Sequence, residues 1–389
     1  MAENILTCLF WICLLLVIYP YVIYPVILFL LTMLLPRYSL NQKDVNEQLP
    51  TVIILIAAYN EEATISEKIK NCLAIDYPSN LLHIWIASDG STDKTNDIVK
   101  SFCHGESQIE LLEFPRTGKS GILNKAMQYL DSDIVVFTDA NVMLDRKILR
   151  EFVKHFSNPA VGCVSSKLIR HNPNQVISGK GEISYWSYEM MIKKMESNLG
   201  YMAGTSGTAY AIRKVLFIPF HENTINDDFE LSMGIIKKGY KSIYEDKAHA
   251  FEEVAPSLKS EFRRHIRDAA GHYIALLHLI GLLNPIYGIR FVVFLSHRVL
   301  RWIAPFMLVS LLVINILLFN QILFGTILAI QIIFYTLAII GWGMSEKKEV
   351  PFWIYGPFYF CNLNAALIVG FWKAITGQQK TKWNSTERI

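Results

Sequence analysis

A chain of 389 residues, 52% apolar and 18% charged with a formal net charge of +3, is long enough for one large or two ordinary domains and too apolar for an average soluble protein. The small positive charge argues against a nucleic-acid partner. The six cysteines include no C-x-x-C pair, so the sequence gives neither a disulfide framework nor a zinc site.

The first element runs from Ile5 to Leu35 almost without charge. A secretory signal has a basic start and an apolar stretch of only about 7–15 residues. This one begins Met-Ala-Glu-Asn and continues for about thirty residues, which suits one bilayer span rather than two. Residues 1–36 are therefore read as one transmembrane helix, kinked at Pro20 and Pro25.

From Thr51 to about Ala250 strands and helices alternate. "TVIILIAAYN" is a strand, followed by a helix from Glu62 to Leu73. "LLHIWIASDG" is a strand, followed by a helix from Thr92 to Phe102. "IELLEF" leads to a helix from Lys119 to Leu130, and "DIVVFTDAN" to one from Arg146 to Phe156. Continuous β-branched runs with helical connections predict a mostly parallel sheet covered on both faces. Three of these strands end in polar residues: Tyr59-Asn60-Glu61-Glu62, Asp89-Gly90-Ser91-Thr92-Asp93 and Thr138-Asp139-Ala140-Asn141. One such end is a turn with a helix cap. Three along one edge of a parallel sheet point to a ligand site, because ligands bind at the carboxyl ends of such strands.

The last third is apolar again. Ile289 to Trp302 mixes apolar residues with Arg290, His297, Arg298 and Arg301, which predicts an interfacial helix with its basic face on the headgroups. Ala304–Phe319 and Ile322–Trp342 are spans, turned at Asn320 and Gln321. Phe352–Ile375 is a third, interrupted by Pro357, Asn362 and Asn364. Arg37, Lys43, Arg298, Arg301, Lys347 and Lys348 place the middle domain on the cytoplasmic side. If 352–375 crosses fully, the tail with Lys373, Lys380, Lys382 and Arg388 ends outside, against that rule; the alternative is a re-entrant or interfacial segment.

Taken in order, "AYNEE", "SDGSTD", "GKSGILNKA", "TDAN", "GTSGTAYAIR" and "NDDFELS" resemble the membrane-embedded family-2 glycosyltransferases with a GT-A fold. That group includes hyaluronan, chitin, cellulose and poly-N-acetylglucosamine synthases and relatives that glycosylate lipids. The resemblance implies an α/β GT-A (nucleotide-diphospho-sugar transferase) domain in the cytoplasm over 50–275. Around it come the transmembrane helix 1–36, interfacial amphipathic helices over 276–302, transmembrane helices over 303–376 and a basic tail, 377–389, in the plasma (inner) membrane.

The resemblance also implies roles. Ala58, Tyr59 and Glu61 look like the first nucleotide-contacting loop, and Asp89 like the aspartate that binds uracil or places the diphosphate. Lys119 at a helix start offsets diphosphate charge, with Arg116 a weaker candidate. Asp139 and Asn141 occupy the positions of the family's D-x-D motif. On one strand, period-two geometry would point both the same way, to hold Mg²⁺ or Mn²⁺ on the donor diphosphate. Asn141 departs from the motif and is the weaker ligand. Asp228 resembles the catalytic base and Asp227 its acidic neighbour. Gly204, Thr205, Ser206 and Gly207 look like the start of an acceptor-side strand. "EFRRHIRDAAGH" stands where polymer synthases carry Q-x-x-R-W: Arg267 matches the arginine, a diphosphate clamp, while Arg264 and Asp268 replace the glutamine and tryptophan. His249 reads as a packed histidine rather than a ligand.

The expected activity is inverting transfer from a UDP-sugar to a growing exopolysaccharide or lipid-linked saccharide. The first alternative is a non-processive enzyme glycosylating a ceramide or diacylglycerol, which the departure at Asp268 favours. The second is a catalytically silent scaffold of an export complex, against which Asp139 and Asp228 both stand. Expected partners are the donor, the acceptor, membrane lipids and a homo-oligomer or small membrane subunit.

Overall fold

The computed structural model describes residues 1–35, 38, 48–171, 177–253, 257–344 and 350–379, and the side chains among them outside 171–185. Arg37, Lys43, Lys347, Lys348, Lys380, Lys382 and Arg388, which carried part of the orientation argument, lie outside the described residues.

The chain opens with α1 (Ala2–Ile18), a π-helical turn (Tyr19–Ile23) and α2 (Tyr24–Leu34) in one continuous rod. The prolines explain the π turn. Tyr24 N–H donates to Tyr19 O, five residues back, and Pro25 has no N–H to offer. Two carbonyls are thereby released inside an apolar helix, and both find side-chain donors. Arg301 Nη2 reaches Pro20 O at 3.3 Å, and Tyr188 Oη donates to Tyr21 O at 2.7 Å.

The middle region alternates as its periodicity predicts: β1 (Val52–Ala58), α3 (Ile65–Leu73), β2 (Leu82–Asp89), α4 (Thr95–Cys103), β3 (Ile109–Phe114), α5 (Lys119–Ala126) and β4 (Ile134–Asp139). There follow β5 (Met143–Leu144), α6 (Ile148–Val153), β6 (Val161–His171), α7 (Ile177–Asn198), β7 (Ala209–Arg213), α8 (Asp227–Lys237) and β8 (Lys241–Glu253). These strands form one sheet in the order β3-β2-β1-β4-β7-β6-β8-β5. β1 to β4 are parallel, as expected. The other half is mixed, because β7 runs antiparallel to both β4 and β6. Every residue of β1 is buried, with successive side chains on opposite faces. Val52, Ile54 and Ile56 pack with Ile65, Ile69 and Cys72 of α3. Ile53, Leu55 and Ala57 pack with Ile122, Leu123 and Ala126 of α5. Each fully buried isoleucine contributes about 1.5–3 kcal/mol, so the sheet centre is fixed from both sides. α3 and α5 consequently reach the same strand ends from opposite faces.

The chain closes with α9 (Leu258–His278), α10 (Ile289–Val293), a second π turn (Phe294–Val299), α11 (Leu300–Leu317), α12 (Ile322–Gly343) and α13 (Phe352–Ile375). Four helical stretches are long and apolar enough to cross a membrane: Ala2–Leu34, Ile289–Leu317, Ile322–Gly343 and Phe352–Ile375. The expected headgroup-facing helix over 289–302 is not formed. This stretch continues into α11, with His297 0% and Arg301 6% exposed. The reason is pairing: Glu189 and Glu196 on α7 take the two arginines and the His297 ring into the interior. The two π turns touch, Tyr19 Oη to Ser296 Oγ at 3.1 Å.

Candidate active site

The three polar strand ends meet as the parallel register requires. Asn60, in the left-handed region at φ 52°, accepts Thr92 N–H on Oδ1 at 2.8 Å and donates its own N–H to Ser91 Oγ at 3.2 Å. Glu61 N–H donates to Thr95 Oγ1 at 2.8 Å. Several residues expected to touch the donor are instead walls of the site. Ala58 and Asp89 are 0% exposed and Glu61 is 4% exposed. Both oxygens of Asp89 are engaged: Arg116 Nη1 at 2.7 Å, Thr117 N–H at 2.6 Å and Gly118 N–H at 3.0 Å. Asp89 thus pins the turn that launches α5. Arg116, the weaker candidate in sequence, sits over the Tyr59 ring with its guanidinium carbon 3.1 Å from the centroid. This cation–π pair stands next to the strand ends.

α5 then delivers Lys119 to the centre. Its ammonium lies 2.9 Å from Asp139 Oδ1 and 3.3 Å from Asp227 Oδ1. Burial works to lower the Lys119 pKa, but Asp139 and Asp227 outweigh it and hold the lysine well above its usual range. Asn141 does not share the strand of Asp139. β4 ends at Asp139, and Asn141 stands in a turn closed by Val142 N–H on Asp139 O at 3.3 Å. The period-two argument fails there because the strand has already ended.

Asp227 and Asp228 open α8, where acidic residues complement the helix dipole. Asp227 is buried, and its Oδ2 has no hydrogen-bond partner. Burial raises the pKa of Asp227, with Lys119 opposing. Asp228 is pushed up to about 7 by burial and by the Asp227 charge. A Cβ on Gly207 would stand 3.3 Å from the Asp228 carboxylate, so this glycine leaves the carboxylate open on that side.

The acceptor-side segment is a loop, since β7 begins only at Ala209. Its backbone is gripped group by group. Ala203 N–H donates to Glu196 Oε2 at 2.9 Å, and Ala203 O accepts Arg298 Nε at 3.0 Å. Gly204 takes φ +80°, and a Cβ there would strike the Phe229 ring at 2.3 Å. Lys193 Nζ donates to Thr205 O at 3.2 Å, Thr205 Oγ1 to Asp228 O at 3.0 Å, and Ser206 N–H to Ser165 Oγ at 3.2 Å. Lys193, 2% exposed, is lowered to about 8 by burial and by Arg298. Behind this loop Glu196 also accepts Tyr24 Oη at 2.7 Å and faces His297 Nδ1 at 2.8 Å. Glu189 meets His297 Nε2 at 3.0 Å, Arg298 Nη1 at 2.9 Å and Arg301 Nη1 at 2.9 Å. Sequence reasoning missed Lys193, Glu189 and Glu196. The available signal was a set of cations inside an apolar stretch, which must find buried partners.

α9 reaches the site through its contact with Asn226. Asn226 Nδ2 donates to Asp268 O at 3.0 Å, and Gly271 lets the helix approach Asn226, where a Cβ would stand 2.4 Å from its Oδ1. The Arg267 guanidinium, however, turns back onto Asp268 Oδ1 at 3.1 Å. Arg264 lies close enough to Arg170 and Asp268 to act on the charge of both. His249 contacts Asp246 O at 3.0 Å and the edge of Phe251, a packed histidine.

A family model described as glycosyl transferase family 2 matches residues 53–218. A beta-monoglucosyldiacylglycerol synthase of Nostoc sp. is 29% identical over 197 residues, 49% of this chain and 42% of that protein. A poly-beta-1,6-N-acetyl-D-glucosamine synthase of Staphylococcus aureus is 27% identical over 247 residues, 62% of this chain and 60% of that protein. The chain thus spans less than two thirds of either relative. A solved mannosyltransferase of Pyrobaculum calidifontis, in complex with GDP-Man and Mn²⁺, has a TM-score of 0.71 at 20% identity, covering 96% of this chain and 99% of that one. The likeness shows a shared GT-A-like fold.

Proposed function

From a chain that carries a family 2 glycosyltransferase domain, we propose inverting transfer of a sugar from a UDP-sugar to a hydroxyl of a membrane-borne acceptor, a growing exopolysaccharide or a lipid-linked saccharide. The carrying observation is the central cluster. Lys119 bridges Asp139 at the donor strand end and Asp227, while Asp228 beside it faces the glycine of the acceptor loop.

The donor nucleotide would lie along the ends of β1, β2 and β4, with its base against the Arg116–Tyr59 pair and its diphosphate at Lys119 and the start of α5. Among the described residues no three His, Cys, Asp or Glu side chains form a cation cage. A cation shared with a diphosphate needs none: Mg²⁺ or Mn²⁺ takes one or two carboxylates and fills its sphere with phosphate oxygens and water. Asp139 and Asn141 would hold it, and the unpartnered Oδ2 of buried Asp227 fits a positive charge arriving there. When bound, the cation stabilises the departing diphosphate. Asp228 takes the acceptor proton as the acceptor oxygen attacks the anomeric carbon. The buried setting and the Asp227 charge support it as a base working near neutral pH.

A second reading, transfer of a single sugar to a lipid, is favoured by one observation. Asp268 stands at the tryptophan position of the polymer synthases, and its backbone is tied to Asn226. This reading would remove the aromatic platform for a growing chain. The catalytic domain is taken to face the cytoplasm of the plasma membrane, where UDP-sugars are made.

The test is UDP release by the protein in lipid nanodiscs with a panel of UDP-sugars and Mn²⁺ or Mg²⁺, with products sized on the same samples. Metal-dependent release identifies the donor, and product size separates polymer from single transfer. No release with any donor, with saccharide and lipid acceptors supplied, would sink the proposal.

A further inference from the structure

Lys68 is the fully buried cation that the transfer chemistry above does not use. It stands on α3 at 0% exposure. Its ammonium donates to Thr138 Oγ1 at 3.1 Å and to Val142 O. Both acceptors belong to the segment that carries Asp139 and Asn141. Thr138 Oγ1 passes the connection on to Thr208 O at 2.8 Å, the end of the acceptor loop. Among the described residues no carboxylate lies within ion-pair distance of Lys68; Asp139 is the acidic side chain whose charge acts on it.

The energetics make this placement informative. Taking an ammonium out of water costs several kcal/mol, and two neutral oxygens offset only part of it. A methionine of similar length would fill the same space without that cost. A group whose burial opposes folding, and whose bonds go to the strand end and turn on either side of Asp139, is a candidate for function rather than stability. The two faces of the sheet sharpen the point. Lys119 approaches Asp139 from the α5 face and remains partly exposed, 24% for its side chain, so it is free to follow a phosphate. Lys68 approaches from the α3 face and is locked.

We propose that Lys68 is a positioning residue of the donor site: its ammonium holds Thr138 and Val142, and so fixes the turn that presents Asp139 and Asn141 to the cation and diphosphate. This role rests on the donor-site reading above. The Lys68 bonds to Thr138 and Val142 remain when Lys119 moves to the ligand, so the turn stays in place as the donor enters and leaves. The neighbouring Asn71 offers a built-in contrast. It braces the same region through Leu144, giving Nδ2 to Leu144 O at 2.9 Å and accepting Leu144 N–H at 2.8 Å, without touching the 138–142 turn.

The experiment measures UDP binding calorimetrically in nanodiscs with Mn²⁺, free Mn²⁺ by electron paramagnetic resonance, and Tm, for the full chain and for Lys68→Met, Asn71→Ala and Thr138→Val. Loss of a group that orients a metal-site residue typically weakens metal affinity by about 10–100-fold. Lys68→Met is expected to weaken UDP and Mn²⁺ binding by at least about tenfold on that scale, with Tm unchanged or raised. Asn71→Ala is expected to lower Tm and leave both affinities near wild type. Wild-type affinities in Lys68→Met overturn the proposal. If Lys68→Met does not fold, Thr138→Val decides: weakened binding at retained Tm supports the role, and unchanged binding overturns it. A wild type that binds no UDP overturns the donor-site reading, and this role with it.

Discussion

On the donor side, Asp89, Lys119 and Asp139 come from adjacent strand ends and a helix start, and their partners lie on neighbouring loops. On the acceptor side, the loop from Ala203 to Ser206 is held by Glu196, Lys193, Arg298 and Ser165, and the first of these is anchored on Tyr24 of the first membrane rod. Two of the donor-side charges are partly open to water: the side chain of Asp139 is 39% exposed and that of Lys119 24%. The acceptor charges are sealed: Glu189 is 3% exposed, and Glu196 and His297 are 0% exposed. One half of the site can therefore exchange partners, Lys119 for a diphosphate. The other half has no water to substitute for a lost partner and must keep its geometry. This suits a site that binds a soluble, charged donor and must present a hydroxyl from the membrane at a fixed angle.

The largest expected effect lies where the halves join. Asp228→Asn removes the base and leaves the donor side intact, so kcat should fall by about 10³-fold, within the usual range for a general base. UDP affinity should stay near wild type. Equal loss of binding and turnover would place Asp228 on the donor side instead. The wild type carries the matching pH signature. Burial and Asp227 lift Asp228 to about 7. In the proposed reaction the acceptor proton is taken by the carboxylate form, so activity should rise with pH. kcat/KM for the acceptor should climb through about pH 7 and lose about tenfold per unit below it. UDP binding followed over the same range should not show that limb.

The contrast in burial gives the next pair. Glu189→Gln leaves His297, Arg298 and Arg301 short of a carboxylate in a dry interior, and breaking such a pair costs about 3–5 kcal/mol. Asp139→Asn disturbs a half-open pair, whose contribution to stability is about 0–1 kcal/mol. Denaturation of both variants in one membrane system should show a large loss for the first and little for the second. Similar losses would erase the distinction between a sealed and an open half.

The donor half was legible in the sequence because its signals are local. Apolar runs, each ended by an acidic residue with hydroxyl or amide neighbours, marked β1, β2 and β4 and their common edge before any contact was known. Local signals also misled. Period two placed Asn141 on a strand that stops at Asp139. Asp89 read as a ligand contact, although its oxygens are filled by Arg116 and two backbone N–H groups, a pairing across 27 to 29 positions. The acceptor half was nearly silent. His297, Arg298 and Arg301 read as a headgroup face because their partner Glu189 lies more than 100 positions away. Charge composition alone held a clue. Glu189 and Glu196 fall seven apart, on one face of α7, and an apolar helix with two arginines and a histidine needs such a face.

The smallest effect probes how far the acceptor half extends. Tyr24→Phe removes one hydroxyl in the first membrane rod and changes no charge and little volume. The lost bond to buried Glu196 involves an ionised acceptor, and such bonds are worth about 1.5–3 kcal/mol. Glu196 retains Ala203 N–H and His297, so the fold should hold with a modest drop in Tm. If the rod helps to set the acceptor loop, part of that energy appears as a shift of Ala203 to Thr205 against Asp228. Transfer should then slow several-fold at saturating donor, while UDP affinity and donor KM remain at wild-type values. A variant that loses only stability would confine the network to holding the rod against the domain. The loop would then owe its shape to Lys193, Arg298 and Ser165 alone.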